Sequence, residues 1–357
     1  MASVLPFRAF RYDPRLAEPV EVLTQPYDKI TPGMQDRYYA ASPYNLVRVI
    51  LGRRKDTDNK ADNVYSRAAT SFREWKQKGI LRQDSAPSFY CYSQRFVLPG
   101  AGAELERRGF TALGRLEDYS AGIVFRHEQT LAKPKADRLE LLRATRAHFE
   151  QLFMLYEDSG EIDGLLSQRG DPTTSVTDEY GVLHSVWQIS EPSVIESVCA
   201  KMRDQKLIIA DGHHRYETAL AYRDECREDG AHSPHSSSDQ SPRAYEYVMM
   251  TFVNMKSPGL VILPTHRVVR SLDSFSADAF RDSSRTFFDV EEVEPSFDAA
   301  GAVTILSEAG RAGTALLAVT ADRAFLIHKP QDSGSRNSIF AGSSLRQQSL
   351  DVAQLHK

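Results

Sequence analysis

The chain has 357 residues, of which 41% are hydrophobic and 26% charged, and its formal net charge is −4. These values are typical of a folded protein of about two domains and argue against a general nucleic-acid binder. The three cysteines are widely spaced, which indicates neither a disulfide framework nor a thiolate metal site. No signal peptide and no bilayer-spanning apolar run is evident, so we expect a cytoplasmic protein that does not contact the membrane.

The first half of the chain alternates between strand and helix patterns. Residues 1–30 contain several prolines and indicate an extended segment that leads into a turn. Strands are predicted from alternating or β-branched runs at 44–51, 88–98, 110–116, 152–156 and 182–189. Helices are predicted from their apolar periodicity at 61–80, 136–149 and 191–202.

The second half begins with a strand at 207–210 and a helix from about 213. Residues 229–243 are polar and rich in Ser, Pro and His, which predicts a disordered surface loop. The remaining predicted elements are strands at 245–255, 261–267, 290–293, 314–319 and 324–327, with helices at 277–287 and before 314. The pattern therefore predicts a main α+β domain over 1–270 and a smaller α/β domain over 271–357.

The segment Asp211-Gly212-His213-His214-Arg215 follows the predicted strand and opens the predicted helix. Free N–H groups and the positive end of the helix dipole lie at such a point. Gly212 leaves room for a ligand, and Arg215 adds a bidentate donor. The pattern predicts an anion site, most simply for phosphate. A plain turn with a hydrogen-bonded Asp is the alternative, but the four polar side chains favour a site.

A second polar segment covers residues 126–138 and contains His127, Glu128, Lys133, Lys135 and Arg138. The zinc-protease pattern fails because position 131 is leucine, and no pair of histidines has metal-ligand spacing, so no resident metal site is predicted. Cations next to a His-Glu pair suit a polyphosphate held near a carboxylate. Structural ion pairs are the alternative explanation.

The helix predicted after this segment carries an anomaly. On a helical wheel Arg138 and Arg146 lie about 80° apart, on the face that also carries Leu142 and Phe149. An arginine on an apolar face needs an anionic partner. Arg138 and Arg146 are therefore candidate phosphate ligands, with pairing to a structural carboxylate as the alternative.

Several segments, in the same order along the chain, resemble the domain of unknown function 1015 family over about residues 5–270. They are Pro-Tyr-Asp at 26–28, Ser-Pro-Tyr-Asn-Leu-Val-Arg at 42–48, Arg-His-Glu-Gln-Thr at 126–130, Leu-Leu-Arg-Ala-Thr-Arg at 141–146, Ala-Asp-Gly-His-His-Arg-Tyr-Glu-Thr-Ala at 210–219 and Leu-Pro-Thr-His-Arg at 263–267. Members of that family usually continue into a segment near Pro-Pro-Lys-Ser-Thr, so the resemblance implies a truncated or inactive version here.

The Gly-His-His-Arg element is similar to the Gly-x-x-Arg box of the ParB, sulfiredoxin and free-serine-kinase group. The resemblance implies an α+β fold with a mixed-sheet ParB/sulfiredoxin-like core. It also implies phosphorylation of free L-serine to O-phosphoserine, with ATP or ADP as donor and Mg²⁺ as a candidate cofactor. A phosphoserine phosphatase and a non-enzymatic nucleotide-binding regulator of the ParB type are the alternatives.

Phosphoryl transfer requires positioning, charge neutralisation and a group that accepts the proton of the nucleophile. Phosphate binding is assigned to the backbone and side chains of 212–215, that is, Gly212, His213, His214 and Arg215. Lys133, Lys135 and Arg138 would neutralise the donor. Glu128 is the candidate base, His127 would orient it, and Asp211 is a rival base or a magnesium ligand. The sequence does not identify the donor, the direction of the reaction or the oligomeric state.

Overall fold

The computed structural model describes residues 1–98, 102–127, 132–167, 170–231, 243–263 and 266–330, with the backbone alone at 132–134, 230–231 and 330. The chain divides into two compact units, Met1–Val261 and Ile262–Lys357. Among the described helices, none combines the length and the apolar character that crossing a membrane would require.

The described helices are α1 (Pro19–Val22), α2 (Pro32–Ala41), α3 (Val47–Ile50), α4 (Val64–Gln77), α5 (Ala132–Thr145), α6 (Glu161–Leu165), α7 (Pro192–Met202), α8 (His213–Ala231), α9 (Ala277–Ser284) and α10 (Ala299–Gly310). The described strands are β1 (Val4–Leu5), β2 (Phe10–Tyr12), β3 (Leu81–Gln83), β4 (Phe89–Val97), β5 (Glu104–Arg115), β6 (Val124–Phe125), β7 (Leu152–Tyr156), β8 (Thr174–Thr177), β9 (Leu183–Ile189), β10 (Leu207–Asp211), β11 (Tyr247–Asn254), β12 (Phe288–Val293), β13 (Ala315–Val319) and β14 (Ala324–Pro330).

The first unit is built on a nine-stranded sheet in the order β6-β10-β7-β11-β5-β4-β9-β8, with β1 also paired to β5. The pairs β10–β6 and β11–β7 are parallel and the other pairs are antiparallel. The predicted α+β class with a large mixed sheet is therefore confirmed. Side chains of β5, β7 and β11, such as Phe110, Met154 and Phe252, are fully buried in the main core.

A second apolar cluster fixes α5, the helix that precedes β7. Helix α4 begins with a capping box between Asn63 and Ser66, and it buries Phe72 and Trp75. Leu141 of α5 packs in the same cluster. This contact and the packing of α5 on α8 place α5 beside the start of α8.

The predicted strand at 44–51 is wrong, because its apolar residues form the short helix α3. The side chain of Asn45 accepts a hydrogen bond from the N–H of Val47 at 3.0 Å. Its amide donates to the carbonyls of Glu21 and Leu23 at 2.7 and 3.1 Å. These bonds, one local and two long-range, turn the backbone before Val47, and the apolar side chains are buried from a helix instead.

The predicted strand at 261–267 is also wrong for the described residues 261–263 and 266–267, which form no strand. Ile262 is 94% exposed, and within the described part of the chain these apolar residues pair with no strand. Residues 264 and 265 lie outside the described part of the chain. Residues 229–231 of the predicted polar loop continue α8, residue 243 lies just before a 3₁₀ turn, and 232–242 lie outside the described residues.

The helix predicted over 136–149 occupies 132–145, so the wheel that placed Arg146 on its apolar face is wrong. Arg146 has a left-handed backbone with φ of 51° and is exposed. Its N–H still bonds to the carbonyl of Leu142 at 2.7 Å, which closes the last turn. The chain then leaves the helix direction, and Phe149 reaches the apolar cluster from a loop.

In the second unit, strands β12, β14 and β13 form an antiparallel sheet in that order. Ser276 and Asp298 are the N-cap residues of α9 and α10, and their side chains accept hydrogen bonds from backbone N–H groups of the first turn. Phe325 and Ile327 of the central strand β14 are buried. The smaller α/β part predicted after residue 270 thus has a three-stranded sheet.

Candidate functional site

The predicted junction of strand, glycine and helix is present where β10 ends and α8 begins. Asp211 is the last residue of β10 and is paired with Phe153 of β7. Gly212 then turns the chain with φ of +96°, and its carbonyl accepts the first hydrogen bond of α8 from Tyr216 at 2.9 Å. The junction follows directly from the sequence, because Gly212 adopts this left-handed backbone without a steric cost.

Gly212 is also required by its surroundings. A Cβ at this position would lie 2.8 Å from Cδ2 of Leu152 and 3.2 Å from Cζ of Arg215. Any larger residue would therefore push against the start of β7 and against the arginine. The glycine lets the backbone, the neighbouring strand and the Arg215 guanidinium approach one another closely.

Helix α8 is 19 residues long, and its first turn carries N–H groups that have no carbonyl partner within the helix. The aligned peptide dipoles add partial positive charge at this end. Arg215 lies in the first turn, so a full positive charge is added to the partial one. This arrangement of a glycine, a helix start and an arginine has the electrostatics of an anion site.

Arg215 is held by two oxygen acceptors. Its Nη2 donates to Oδ2 of Asp211 at 2.5 Å, and its Nη1 donates to the carbonyl of Gln151. The Asp211 side chain is 65% exposed whereas that of Arg215 is 16% exposed. The guanidinium is thus fixed beside Gly212, and its carboxylate partner faces solvent, where another anion can compete with it.

His213 and Glu217 lie one turn apart on one face of α8, while Arg215 points to a different face. On the His213 face, the rings of His127 and His213 are 4.5 Å apart and perpendicular. The backbone N–H of His127 lies 3.4 Å from Nε2 of His213. His213 itself is only 3% exposed, so it supports this loop rather than facing solvent.

Glu217 ties the cationic segment to α8. It accepts from Nη1 of Arg126 at 3.1 Å and from Nζ of Lys135 at 2.9 Å. The described ends of the segment 126–135 therefore lie against the helix that carries Arg215, on its Glu217 face, although more than eighty residues separate them. Lys135 is engaged in this pair instead of standing free beside Gly212.

The Arg215 face of α8 borders a small cleft of about 50 Å³. It is lined by residues of α5, of the connection to β7 and of α8, among them Arg138, His148, Glu150, Arg215 and Thr218. The cleft brings Arg138 and Arg215 together, two of the predicted phosphate ligands. It also contains Glu150 and His148, which the sequence patterns did not single out.

Arg138 is 7% exposed and is bound on several sides. It donates to the carbonyl of Ile50 at 2.8 Å and to Oδ2 of Asp137 at 2.5 Å, and its Cζ lies 4.2 Å from the ring centre of Tyr27. Its Nη1 is 3.9 Å from Oε2 of Glu150. Arg138 thus has the anionic partners expected of a buried arginine, namely Asp137 of α5 and Glu150 at the cleft.

Burial shifts the pKa values of two side chains in the cleft, Glu150 upward and His148 downward. Burial raises the pKa of Glu150 above the usual range of a carboxyl, although Arg215, the N–H of Tyr27 and Arg138 each lower it. Burial lowers the pKa of His148 to about 4, so the ring is neutral near pH 7. A buried carboxyl that binds protons more readily than usual is a frequent feature of catalytic sites.

Several predicted site residues are not placed by this geometry. Glu128 lies outside the described residues, and for Lys133 only the backbone is described. His214 lies in the first turn of α8 and is half-buried, whereas Arg146 is exposed at the end of α5. In the described part of the chain, no group of three His, Cys, Asp or Glu side chains is arranged to hold a metal ion.

The cleft residues to which the sequence patterns assigned no role are His148, Glu150 and Tyr27. Glu150 stands between Phe149 and Gln151 and belongs to no run of charged residues, so no local pattern marks it. Tyr27 does lie in Pro26-Tyr27-Asp28, one of the segments that carry the family resemblance. Its N–H donates to Oε1 of Glu150 at 3.1 Å, which gives that segment a place in the cleft.

A family model described as "Protein of unknown function (DUF1015)" matches residues 4–353. The chain belongs to the DUF1015 family. The match extends beyond the region of about 5–270 in which the individual segments resemble that family, and it includes both compact units of this DUF1015 protein. No curated protein and no solved structure matches the chain.

Proposed function

We propose that this DUF1015 protein is a small-molecule phosphotransferase that binds the phosphates of a nucleotide at the start of α8. The observation that carries the proposal is the junction of Gly212 with α8. The glycine makes the left-handed turn that starts the helix, and it lets Arg215 lie 3.2 Å from the position that a Cβ would occupy. Backbone N–H groups, a helix dipole and a guanidinium are thereby directed at one place.

The acceptor in this proposal is free L-serine, and the product is O-phosphoserine. The support is the similarity of Gly212-His213-His214-Arg215 to the Gly-x-x-Arg box of the ParB, sulfiredoxin and free-serine-kinase group. In that group the box opens a helix and holds nucleotide phosphates. The proposal therefore includes a ParB/sulfiredoxin-like core within the mixed sheet, a role in serine metabolism and ATP or ADP as donor.

The roles of individual residues follow from this assignment. The N–H groups of His213, His214 and Arg215 would bind phosphate oxygens, with Gly212 making the left-handed turn that starts the helix. Lys133 and Arg138, the latter in the cleft beside Arg215, would supply further positive charge around the donor, whereas Lys135 is paired with Glu217. Asp211, which is exposed beside the junction, is the residue we assign to a Mg²⁺ ion that accompanies the nucleotide.

The alternative reaction, hydrolysis of O-phosphoserine with His213 or His214 as nucleophile or acid, has less support. A nucleophile must reach the phosphorus atom, and His213 is 3% exposed and packed against His127. We therefore favour transfer to serine. The alternative of a nucleotide-binding regulator shares the phosphate site and differs in forming no product.

A product assay tests the proposal. Purified protein would be incubated with L-serine and Mg²⁺ and, separately, ATP, ADP or pyrophosphate, and O-phosphoserine would be followed by ³¹P NMR. Release of phosphate from O-phosphoserine would be measured in parallel. We expect O-phosphoserine to form with one nucleotide donor. Nucleotide binding without any product would favour the regulator, and phosphate release alone would favour the phosphatase.

A further inference from the structure

The cleft on the Arg215 face of α8 contains a carboxylate to which the assignments above give no role. Glu150 is bounded by Arg138 of α5, Arg215 of α8 and Tyr27 of the loop after α1. Its side chain is 15% exposed, so it is largely withdrawn from water while it lines the cleft. Withdrawing a carboxylate from water costs free energy, and an apolar residue with a purely structural role would not have this cost.

The backbone holds Glu150 next to the proposed phosphate site. The next residue, Gln151, accepts a hydrogen bond from Arg215 through its carbonyl. The residue after that, Leu152, has its Cδ2 only 2.8 Å from where a Cβ of Gly212 would be. Residues 150–152 therefore run directly past the start of α8. A molecule in the cleft would lie beside a phosphate bound there.

Neither arginine neutralises Glu150 through a close ion pair. Arg138 approaches only to 3.9 Å, since its shorter bonds go to Asp137 and to the carbonyl of Ile50. Arg215 donates to Asp211 and to the carbonyl of Gln151. Glu150 thus lies in a positive field and keeps oxygen lone pairs that these side chains do not use.

Building on the proposed function, we infer that Glu150 is the catalytic base that accepts the proton of the serine hydroxyl, and that the cleft is the subsite for the acceptor. The hydroxyl oxygen forms a bond to the terminal phosphorus of the nucleotide. The bond from phosphorus to the bridging oxygen breaks, and its electron pair leaves with ADP, or with AMP when ADP is the donor. The hydroxyl proton passes to the Glu150 carboxylate and from there to solvent.

This inference transfers to Glu150 the role that the sequence pattern assigns to Glu128. The other rival, Asp211, is less suited to accept a proton. Its carboxylate is 65% exposed and bonded to Arg215 at 2.5 Å, so it is stabilised as an anion by water and by a cation. The anion of Glu150 is less stabilised, because its side chain is only 15% exposed to water and Arg138 approaches it only to 3.9 Å.

With Glu150 as the base, the rate of transfer depends on pH. Besides burial, the negative charge of Asp28 raises the pKa of Glu150, while Arg215, the N–H of Tyr27 and Arg138 lower it, and the net direction is upward. A base acts only when deprotonated, so transfer should fall as the pH decreases through this raised pKa. His148 also lines the cleft and stays neutral until the pH approaches about 4.

The test compares E150Q with E140Q in the full-length protein. Glu140 lies on α5, its side chain is 50% exposed, and it pairs with Arg143, so E140Q is a matched control outside the cleft. With the donor that supports transfer, kcat, the KM of that donor and the pH profile are measured for each. We expect E150Q to lower kcat by about a hundredfold or more, to leave the donor KM within about twofold and to lose the acidic limb of the profile. E140Q should behave like the wild type.

The outcomes separate the inference from the proposed function. If the wild type forms no O-phosphoserine, the proposed function fails, and the inference fails with it. If the wild type transfers phosphate and E150Q keeps its kcat and its acidic limb, only the inference is overturned. E150Q should fold, because glutamine removes a buried charge. Should it not fold, E150D decides: a lowered kcat with the acidic limb retained supports the inference, and an unchanged kcat contradicts it.

Discussion

Arg215 and Asp211 form a hydrogen-bonded ion pair of 2.5 Å that spans the glycine at the start of α8. The two residues are four positions apart, yet only Arg215 belongs to the helix. The pair fixes the guanidinium in the place where a bound phosphate would meet it. Because Asp211 is the exposed partner, it can exchange with an incoming anion.

We expect D211N to bind pyrophosphate more tightly in the absence of Mg²⁺. The aspartate competes with the anion for Arg215, and an exposed pair of this kind is worth about 0.2–1 kcal/mol, so affinity should rise by about 1.5- to 5-fold. Isothermal titration calorimetry at low salt would measure this. D204N, which removes an exposed charge before β10, is the control. Weaker binding by D211N would show that Asp211 positions Arg215 instead of competing for it.

Replacing Gly212 by alanine should destabilise the first unit. The backbone at φ of +96° disfavours any residue with a Cβ, and that Cβ would also clash with Leu152. We expect a loss of about 1–3 kcal/mol in the free energy of unfolding, measured by urea denaturation. G79A is the matched control, since Gly79 has φ of +72° with nothing within 4 Å of the added Cβ. If G212A and G79A lost the same free energy of unfolding, the clash with Leu152 would make no contribution.

His148 should make stability depend on pH. Its pKa is about 4 in the folded protein, because burial disfavours the charged ring, and about 6.5 when the chain is unfolded. The unfolded state then binds the proton more readily, so stability is complete above about pH 6.5 and is lost as the pH falls towards 4.

We expect H148N to flatten this part of the curve of melting temperature against pH. The exposed His266 supplies the control, and H266N should keep the wild-type slope. A curve for H148N that still falls as steeply as that of the wild type would assign the acid sensitivity to other groups.

The sequence predicted the elements whose cause is local. Gly212 follows an apolar run and produces the junction between β10 and α8. Phe72 and Trp75 have helical spacing, and both are buried on α4. Each of these patterns extends over only a few residues. The predicted strand at 44–51 and the predicted place of Arg146 on an apolar helix face were wrong. In these two places a long-range contact or the backbone of a single residue determines the local structure. Asn45 bonds to carbonyls more than twenty residues away, and one left-handed residue ends α5 before the wheel is complete.

The candidate site was predictable in part for the same reason. Asp211 to Arg215 are contiguous, so their chemistry is visible in the sequence. Glu150 acquires its properties from burial and from Arg138, Arg215 and Tyr27, which come from three separate segments. A lone glutamate carries no such information until the fold brings those segments together.

The central claim is that phosphate binds at the start of α8 through Arg215. Titration calorimetry of ATP into the wild type, R215K and R215A tests it most directly. We expect R215A to lose about 1.5–3 kcal/mol of binding free energy, the value of a charged hydrogen bond, and R215K to lose less because it keeps the charge without the bidentate fork. Equal affinity of folded R215A and wild type for ATP would contradict the account.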